Sequence, residues 1–528
     1  MYPLGMKKSL IIVLSVAILL LSIICLVSQI KDPDFFWHLK SGELLWKQGS
    51  LPTKDIFAYT SPPYQNDRVH FVLTGFWLSQ LLFYLMYALG GMPGIVALRF
   101  VLIGILVCVM MMRKKGDLLL YVGLLLICLA IIMTSFPLER PQVLSFLFFA
   151  ILLLLLERLS DDTNSNRGKW IYFAFPAMML LWANIHPGFV LGLTAIAIYI
   201  ISEGIKYLHP SLRPMKLAAY RKLVLLGLSG ILVAALNPNA YHVFSELSPH
   251  AFNTAGNIEY FSTPKFFTTF GDFSLILYWL LLLLTFSGLI INIRRVDITA
   301  LALLAGTAYF SFTTVRYVPL FVIAALPTVS NFFSEGKFLK PARILVITIA
   351  IISCVVFTWN RRANLDNLTS RDWISGSMFP VKAAEFVINN NLKGNMFNPH
   401  FWGGYLMWTL GPERKVFIDG RDLYPNVFAD YRLIKGVATH NIVGMPAWKA
   451  MLYAYNVNYV ITPLVHFEGG SEPLTNALLT DKDWVPVFAD DRSVIFMRDT
   501  PANSDVVTKY AIPKDNLKAV ISDMHVKG

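Results

Sequence analysis

Residues 71–89 read Phe71-Val72-Leu73-Thr74-Gly75-Phe76-Trp77-Leu78-Ser79-Gln80-Leu81-Leu82-Phe83-Tyr84-Leu85-Met86-Tyr87-Ala88-Leu89, and the way this stretch meets a bilayer sets the register of every apolar run after it. Length and apolarity suit a span. Counted as one, however, it would send Arg113-Lys114-Lys115 to the outer side, against the bias that keeps Lys and Arg cytoplasmic. It also carries Thr74, Ser79 and Gln80, with Trp77, Tyr84 and Tyr87 of the kind that favour an interface. The expectation is therefore a helix lying in the membrane plane.

With that reading the flanking segments fall into register. Lys7 and Lys8 stay inside, and Ser9 to Ile30 is too long for a signal-peptide core and lacks a small-x-small cleavage site, so it is read as a retained anchor. Further spans are expected near 94–112, 118–135, 142–157, 170–184, 188–205, 222–236, 274–293, 297–313, 317–333 and 343–359, about 11 in all. With the N-terminus in the cytoplasm, an odd number exports the C-terminal domain. The inner connections at 113–117, 158–169, 206–222, 294–296 and 335–343 are basic, whereas the outer loop 237–272 holds Lys265 as its one Lys or Arg.

Composition agrees. Of 528 residues, 55% are hydrophobic and 15% charged, and the mean hydropathy of +0.56 excludes a water-soluble chain. The net charge of +12 sits in short clusters between apolar runs, which fits cytoplasmic loops and argues against nucleic acid. Cys25, Cys108, Cys128 and Cys354 all lie inside apolar runs, where a thiol is a small hydrophobe. The chain is thus expected to be a polytopic α-helical membrane protein in two parts. Residues 1–360 form the multi-spanning domain, with a first outer loop at 31–93 that carries interfacial helices. Residues 361–528 form an extracytoplasmic α/β domain, with strands at 415–419, 459–463, 484–489 and 493–498 and helices at 381–389 and 446–455.

Candidate chemistry gathers on the outer side. Lys31-Asp32-Pro33-Asp34-Phe35-Phe36-Trp37-His38-Leu39-Lys40-Ser41-Gly42-Glu43 begins where the first span leaves the bilayer. Asp32 and Asp34 suit either a divalent cation such as Mg or Mn, or a general base; the same pair also suits a plain helix cap. Arg140, His186, Asn237 and Arg316 lie at the outer ends of expected spans. Each alone could snorkel to the interface, but together they describe a cationic pocket fit for an anionic lipid head-group. In the C-terminal part, Phe401-Trp402-Gly403-Gly404-Tyr405 and Asp419-Gly420-Arg421-Asp422 pair glycines with aromatic or charged residues, as a sugar contact surface or as a tight helix start packed on a strand. Phosphate-binding loops, nucleophile elbows and dinucleotide fingerprints are absent from the sequence.

The stretch Asp32-Pro33-Asp34-Phe35-Phe36-Trp37-His38-Leu39-Lys40-Ser41-Gly42-Glu43 resembles bacterial multi-spanning proteins of the GT-C glycosyltransferase superfamily that open this loop with D-x-D-x-W-W-H-L-x-x-G-E. Lys54-Asp55-Ile56-Phe57-Ala58-Tyr59-Thr60, Trp77-Leu78-Ser79-Gln80, Arg140-Pro141-Gln142, Trp182-Ala183-Asn184-Ile185-His186, Trp402-Gly403-Gly404-Tyr405 and Asp419-Gly420-Arg421 extend the likeness. More distantly, the loop is similar to that of oligosaccharyltransferase catalytic subunits. Two departures stand out: Gly75-Phe76 occupies the place of a frequent His-Glu, and Pro187 that of a Gly.

The resemblance implies an inverting transfer of sugar from a polyprenyl-phosphate carrier to a glycan, lipid or protein acceptor at the outer face of the cytoplasmic membrane. It implies Asp34, or else Asp32, as the catalytic carboxylate, with both as ligands of any divalent metal. Arg316, Arg140, His186 and Lys40 would face the donor phosphate, and His38, Trp37, Asn237, Trp402, Tyr405 and Arg421 the acceptor. A transporter or flippase of lipid-linked glycans, a glycan polymerase or ligase, and a non-catalytic scaffold are the rival readings. A transporter has no need for a carboxylate pair in the first outer loop, a polymerase or ligase of another fold would place its main chemistry in a loop between later spans, and the Gly75-Phe76 departure leaves the scaffold open.

Overall fold

The computed structural model describes residues 4–62, 66–135, 138–160, 170–209, 212–246, 262–334, 338–465 and 472–527. The stretch at 161–169, most of an expected inner connection, and much of the expected outer loop at 237–272 fall outside them. The chain forms two compact units, Met1–Gln29 with Met86–Trp373 and Ile30–Leu85 with Ile374–Gly528. Most of the expected first outer loop therefore clusters with the C-terminal segment, a division that differs from a single cut near 360.

In chain order the helices are α1 (Leu4–Leu26), α2 (Pro33–Gln48), α3 (Asp67–Thr74), α4 (Trp77–Met112), α5 (Leu118–Ser135), α6 (Gln142–Ser160), α7 (Ile171–Ile185), α8 (Phe189–Leu208), α9 (Leu217–Ala234), α10 (His242–Glu246), α11 (Thr263–Phe270), α12 (Phe273–Asn292), α13 (Ile298–Thr313), α14 (Val318–Phe332) and α15 (Leu339–Asn360). The C-terminal helices are α16 (Asp366–Ser370), α17 (Val381–Asn389), α18 (His400–Leu410), α19 (Pro425–Lys435), α20 (Ala447–Ala454), α21 (Pro473–Thr480), α22 (Ser504–Tyr510) and α23 (Lys514–Lys527).

Every expected span lies on an apolar helix. Among the described residues, eight helical stretches are long and apolar enough to cross a membrane, and three shorter ones at Leu118–Thr134, Ile171–Ile185 and Ile298–Thr313 are apolar as well. The segment at 71–89 contributes the end of α3 and the start of α4. Inside α4 the helix breaks at Gly91, whose φ of 61° and ψ of −148° suit glycine alone. A Cβ on Gly94 would sit 2.1 Å from the Met86 carbonyl oxygen, so small residues permit the bend.

Within the first unit α5 is apolar on all sides and buried from Leu119 to Met133, which marks it as the central helix. By contrast only 33% of α9 and 28% of α15 is buried in their apolar windows. Their remaining apolar faces are those a hydrocarbon solvent would cover. Close helix contacts rely on glycine: a Cβ on Gly192 would meet Trp182 at 2.5 Å, and one on Gly288 would meet Phe332 at 2.5 Å.

The second unit holds a four-stranded sheet of order β1 (Asn395–Phe397), β4 (Val457–Pro463), β6 (Ser493–Arg498) and β5 (Trp484–Ala489). β1 and β4 are parallel, and β6 is antiparallel to both its neighbours. A short hairpin pairs β2 (Asn441–Ile442) with β3 (Met445–Pro446). Phe397, Tyr431, Trp448, Val460, Trp484 and Phe496 anchor the core between sheet and helices.

The strand expected at 415–419 does not form. Val416 makes a single bridge to Ala58, with Tyr59 N–H donating to Val416 O at 3.2 Å and Val416 N–H to Phe57 O at 2.9 Å. Beyond it the Asn398 side chain takes the ladder's place, accepting from Phe417 N–H at 2.8 Å and donating to Ile418 O at 2.9 Å.

Candidate active site

α2 is a core helix of the second unit, with Phe35 through Gly42 all buried. Asp32 is its N-cap and accepts from the Asp34 backbone N–H at 3.2 Å, while Pro33 fits the first turn and Gly49 closes the helix at φ 66°. Two glycines bring other backbones against it. A Cβ on Gly42 would lie 2.1 Å from the Gln80 carbonyl oxygen, and one on Gly404 would lie 2.6 Å from that of Pro33. Gly403 makes the same kind of approach to Ile418 O, at 2.1 Å. The paired glycines of α18 therefore serve two contacts, one to the first turn of α2 and one to the segment leading into Asp419.

This packing seats Asp34. Its Oδ1 lies 2.2 Å from where a Cβ of Gly420 would stand, and the Trp37 Nε1 is 3.5 Å from the same point. Trp37 Nε1–H is buried without a hydrogen-bond partner among the described residues. A carboxylate and an uncommitted donor thus share one small face over Gly420.

Around them is a dense ionic cluster. Arg421 donates to Asp419 through Nε and Nη2, each at 2.7 Å, and pairs with Asp55 through Nη1 at 2.9 Å. Asp55 also accepts from the N–H groups of Phe57 and Ala58 and from the Ser61 hydroxyl at 2.6 Å. Burial opposes the charge on Asp419, but Arg421 and then His400 outweigh it and hold that carboxyl below its ordinary range. His400 Nε2 pairs with Asp422 Oδ1 at 2.7 Å. Burial disfavours the charged ring, yet the bond to Asp422 and the charges of Asp422, Asp34 and Asp419 raise its pKa above the usual histidine value. A small cleft lined by Asp55, Thr60, Asp419, Asp422 and Tyr424 opens beside the cluster.

The other expected residues of this unit have defined places. His38 stacks on Trp37 with centroids 3.5 Å apart and approaches Gln80 Nε2 at 3.5 Å. Lys40 pairs with Glu43 at 2.8 Å and lies over Trp408. Trp402 is fully buried and donates to Met378 O at 2.8 Å, and Tyr405 stacks on Phe379 beneath Phe36. Asp422 entered the sequence reading only as the end of the Asp419-Gly420-Arg421-Asp422 stretch, and His400 had no role there, because a single His at a helix start carries no spacing signal. Only the fold pairs it with Asp422.

Asp32 Oδ1 accepts the N–H of its cap, and among the described residues no group of three or more His, Cys, Asp or Glu side chains converges on a point. A divalent cation held by Asp32 and Asp34 would therefore take its remaining ligands from water and substrate oxygens.

In the first unit His186 ends α7 in an ordered relay. Trp182 Nε1–H donates to Ser145 Oγ at 2.8 Å, which lies 2.8 Å from His186 Nδ1. Gly188 N–H also donates to that nitrogen, at 2.9 Å. A neutral ring whose Nδ1 accepts carries its proton on Nε2, and Arg316 lies within electrostatic reach of the ring. Arg140 is buried beside Glu139, which pairs with the buried Arg99 at 3.0 Å. Arg99 also donates to the carbonyls of Leu26 and Ser28, tying α4 to the end of α1. Asn237 shapes the turn after α9, donating to Ala234 O and accepting from Asn239 N–H at 2.8 Å.

No protein-family model matches the sequence, and no curated protein matches it. Solved structures do. The archaeal oligosaccharyltransferase AglB from Archaeoglobus fulgidus, in complex with an inhibitory peptide and a dolichol-phosphate, aligns with a TM-score of 0.51 at 10% identity over 95% of this chain and 76% of its own. ArnT from Cupriavidus metallidurans, bound to undecaprenyl phosphate, gives 0.51 at 13% identity over 94% of this chain and 98% of its own. The arabinofuranosyltransferase AftD from Mycobacteria gives 0.55 at 12% identity over 92% of this chain, but only 40% of AftD is covered. The chain is a multi-pass membrane protein with the fold of the GT-C glycosyltransferases.

Proposed function

We propose that the chain is a glycosyltransferase that moves a sugar from a polyprenyl-phosphate-linked donor to an acceptor hydroxyl at the outer face of the cytoplasmic membrane, with inversion. The observation that carries this reading is the seat of Asp34, a carboxylate on the first turn of a buried helix, backed by Gly420 and beside the uncommitted indole N–H of Trp37. In the proposed step Asp34 takes the proton of the acceptor hydroxyl as its oxygen attacks the anomeric carbon. The bond from that carbon to the carrier phosphate breaks, and the phosphate leaves with its electron pair.

The donor class is supported by the dolichol-phosphate and undecaprenyl phosphate bound to AglB and ArnT. Arg316, Arg140 and the Nε2–H of His186 are assigned to the phosphate, whose charge grows as it leaves. Arg421, Trp402, Tyr405 and the Lys40–Glu43 pair are assigned to holding Asp34 in place.

The test is transfer from a panel of polyprenyl-phosphate sugars by the purified chain in liposomes. Asp34→Asn keeps the shape and removes the base, so turnover should fall by about 10²–10⁴-fold with melting and donor binding unchanged. Wild-type turnover in that variant would remove Asp34 from the mechanism.

A further inference from the structure

A second polar cavity lies in the first unit at the far end of α8 from His186, a helix of 20 residues and so about 30 Å long. Its volume is about 340 Å³, and its walls come from the ends of α4, α6, α8 and α13, from α14, and from the segment at 213–215. Its charged floor is already satisfied. Arg113 reaches Glu157 through two nitrogens at 3.2 and 3.0 Å and donates to Ile323 O at 2.8 Å. Lys206 bonds to Glu203 at 2.6 Å and pairs with Asp297. Glu203 also accepts from the Thr299 hydroxyl at 2.8 Å and from Met215 N–H at 3.0 Å. Each of these charges has a partner, although the three carboxylates exceed the two cations by one.

Three other donors are not paired. Tyr199 is 8% exposed, lines the cavity, and its hydroxyl bonds to no described residue. Lys115 and Arg213 line the cavity as exposed side chains and form no ion pair among the described residues. Arg213 is held with a φ of 51°, in the left-handed region that a long side chain adopts at a cost. The floor has one surplus carboxylate, so Lys115 and Arg213 leave the cavity lining with a net charge of about +1, and with the Tyr199 hydroxyl they supply donors for an anion with several acceptor oxygens.

We propose that this cavity binds a phosphate-bearing anion, its charge held by Lys115 and Arg213 and one oxygen held by the Tyr199 hydroxyl. The same chemistry is offered by an anionic lipid head-group and by a free phosphate. The site is separate from the residues assigned to sugar transfer, and its test does not depend on that activity.

The experiment measures binding to the full-length purified chain by native mass spectrometry and by thermal shift, with three probes: dioctanoyl phosphatidylglycerol, inorganic phosphate, and dioctanoyl phosphatidylcholine as a zwitterionic control. Wild type should bind at least one anionic probe in preference to the control. Preference for the glycerol lipid names a head-group as the source, and binding of inorganic phosphate names a soluble one. The double variant Lys115→Ala/Arg213→Ala should weaken binding about tenfold or more, and Tyr199→Phe about fivefold. Both side chains of the double variant are exposed, and melting without ligand should be unchanged. Absent binding, or equal binding by wild type and the double variant, overturns the proposal. A weakened double variant with unchanged Tyr199→Phe overturns the assignment of the cavity, since the anion then sits on the surface alone.

Discussion

The cluster around Asp34 and the cluster around His186 are built from opposite materials. In the first, Asp34, Asp55, Asp419 and Asp422 surround Arg421 and His400, so carboxylates outnumber cations and the strongest contacts are ionic. In the second, His186 is fixed by a hydroxyl, an indole and a backbone N–H, and the charge near it is the cation of Arg316. Each cluster thus concentrates one sign. A surplus of carboxylate suits proton removal from an acceptor, and fixed neutral donors beside a guanidinium suit a phosphate. The difference also predicts how each region fails: the acidic cluster by loss of charge balance, the neutral one by loss of a single buried hydrogen bond.

The largest effect should come from Arg421→Gln. It leaves Asp419 and Asp55 buried without their shared cation, and about 3–5 kcal/mol of stability should be lost, read as a lower denaturation midpoint. A change under about 1 kcal/mol would mean that the carboxylates are solvated and the ionic description wrong. Next is Gly420→Ala, whose new Cβ would lie 2.2 Å from Asp34 Oδ1. Asp34 must move, so kcat should drop about 10²-fold while KM and melting stay close to wild type.

Ser145→Ala probes the other region. It strands the buried Trp182 N–H and should cost about 1–3 kcal/mol in melting, with weaker donor binding as the His186 ring is left held at Nδ1 by the Gly188 N–H alone. The smallest effect belongs to His400→Gln. The folded state raises the His400 pKa, so its contribution is full below the unfolded value and disappears as pH rises through the folded one. Wild type should exceed the variant by about 1 kcal/mol at pH 5.5, and the two should converge at pH 9. Equal melting at both values would mean that the Asp422 pair carries no charge.

Much of this was legible in the chain. Runs such as Leu118–Ser135 and Phe273–Asn292 are long and apolar, and a polar backbone in hydrocarbon has little choice but to form helix, so their positions could be read residue by residue. The N-cap role of Asp32 was visible because a cap is a local matter of a carboxylate beside Pro33. Strands at 459–463, 484–489 and 493–498 followed from alternation and β-branched content. The segment at 415–419 has the same content, and it fails as a strand because its neighbours are the loop at 57–60 and the Asn398 side chain.

What tertiary structure decided is which distant residues share a surface. Asp34 stands against Gly420 and Arg421 against Asp55, pairs that lie hundreds of positions apart. His400 gained its partner only when α18 brought it to Asp422. Composition and periodicity determine helix and span because those depend on neighbours within a few residues. A charge cluster depends on chain closure between segments whose spacing the sequence does not encode, and the glycines at 403, 404 and 420 become readable only once the backbones they admit are in place.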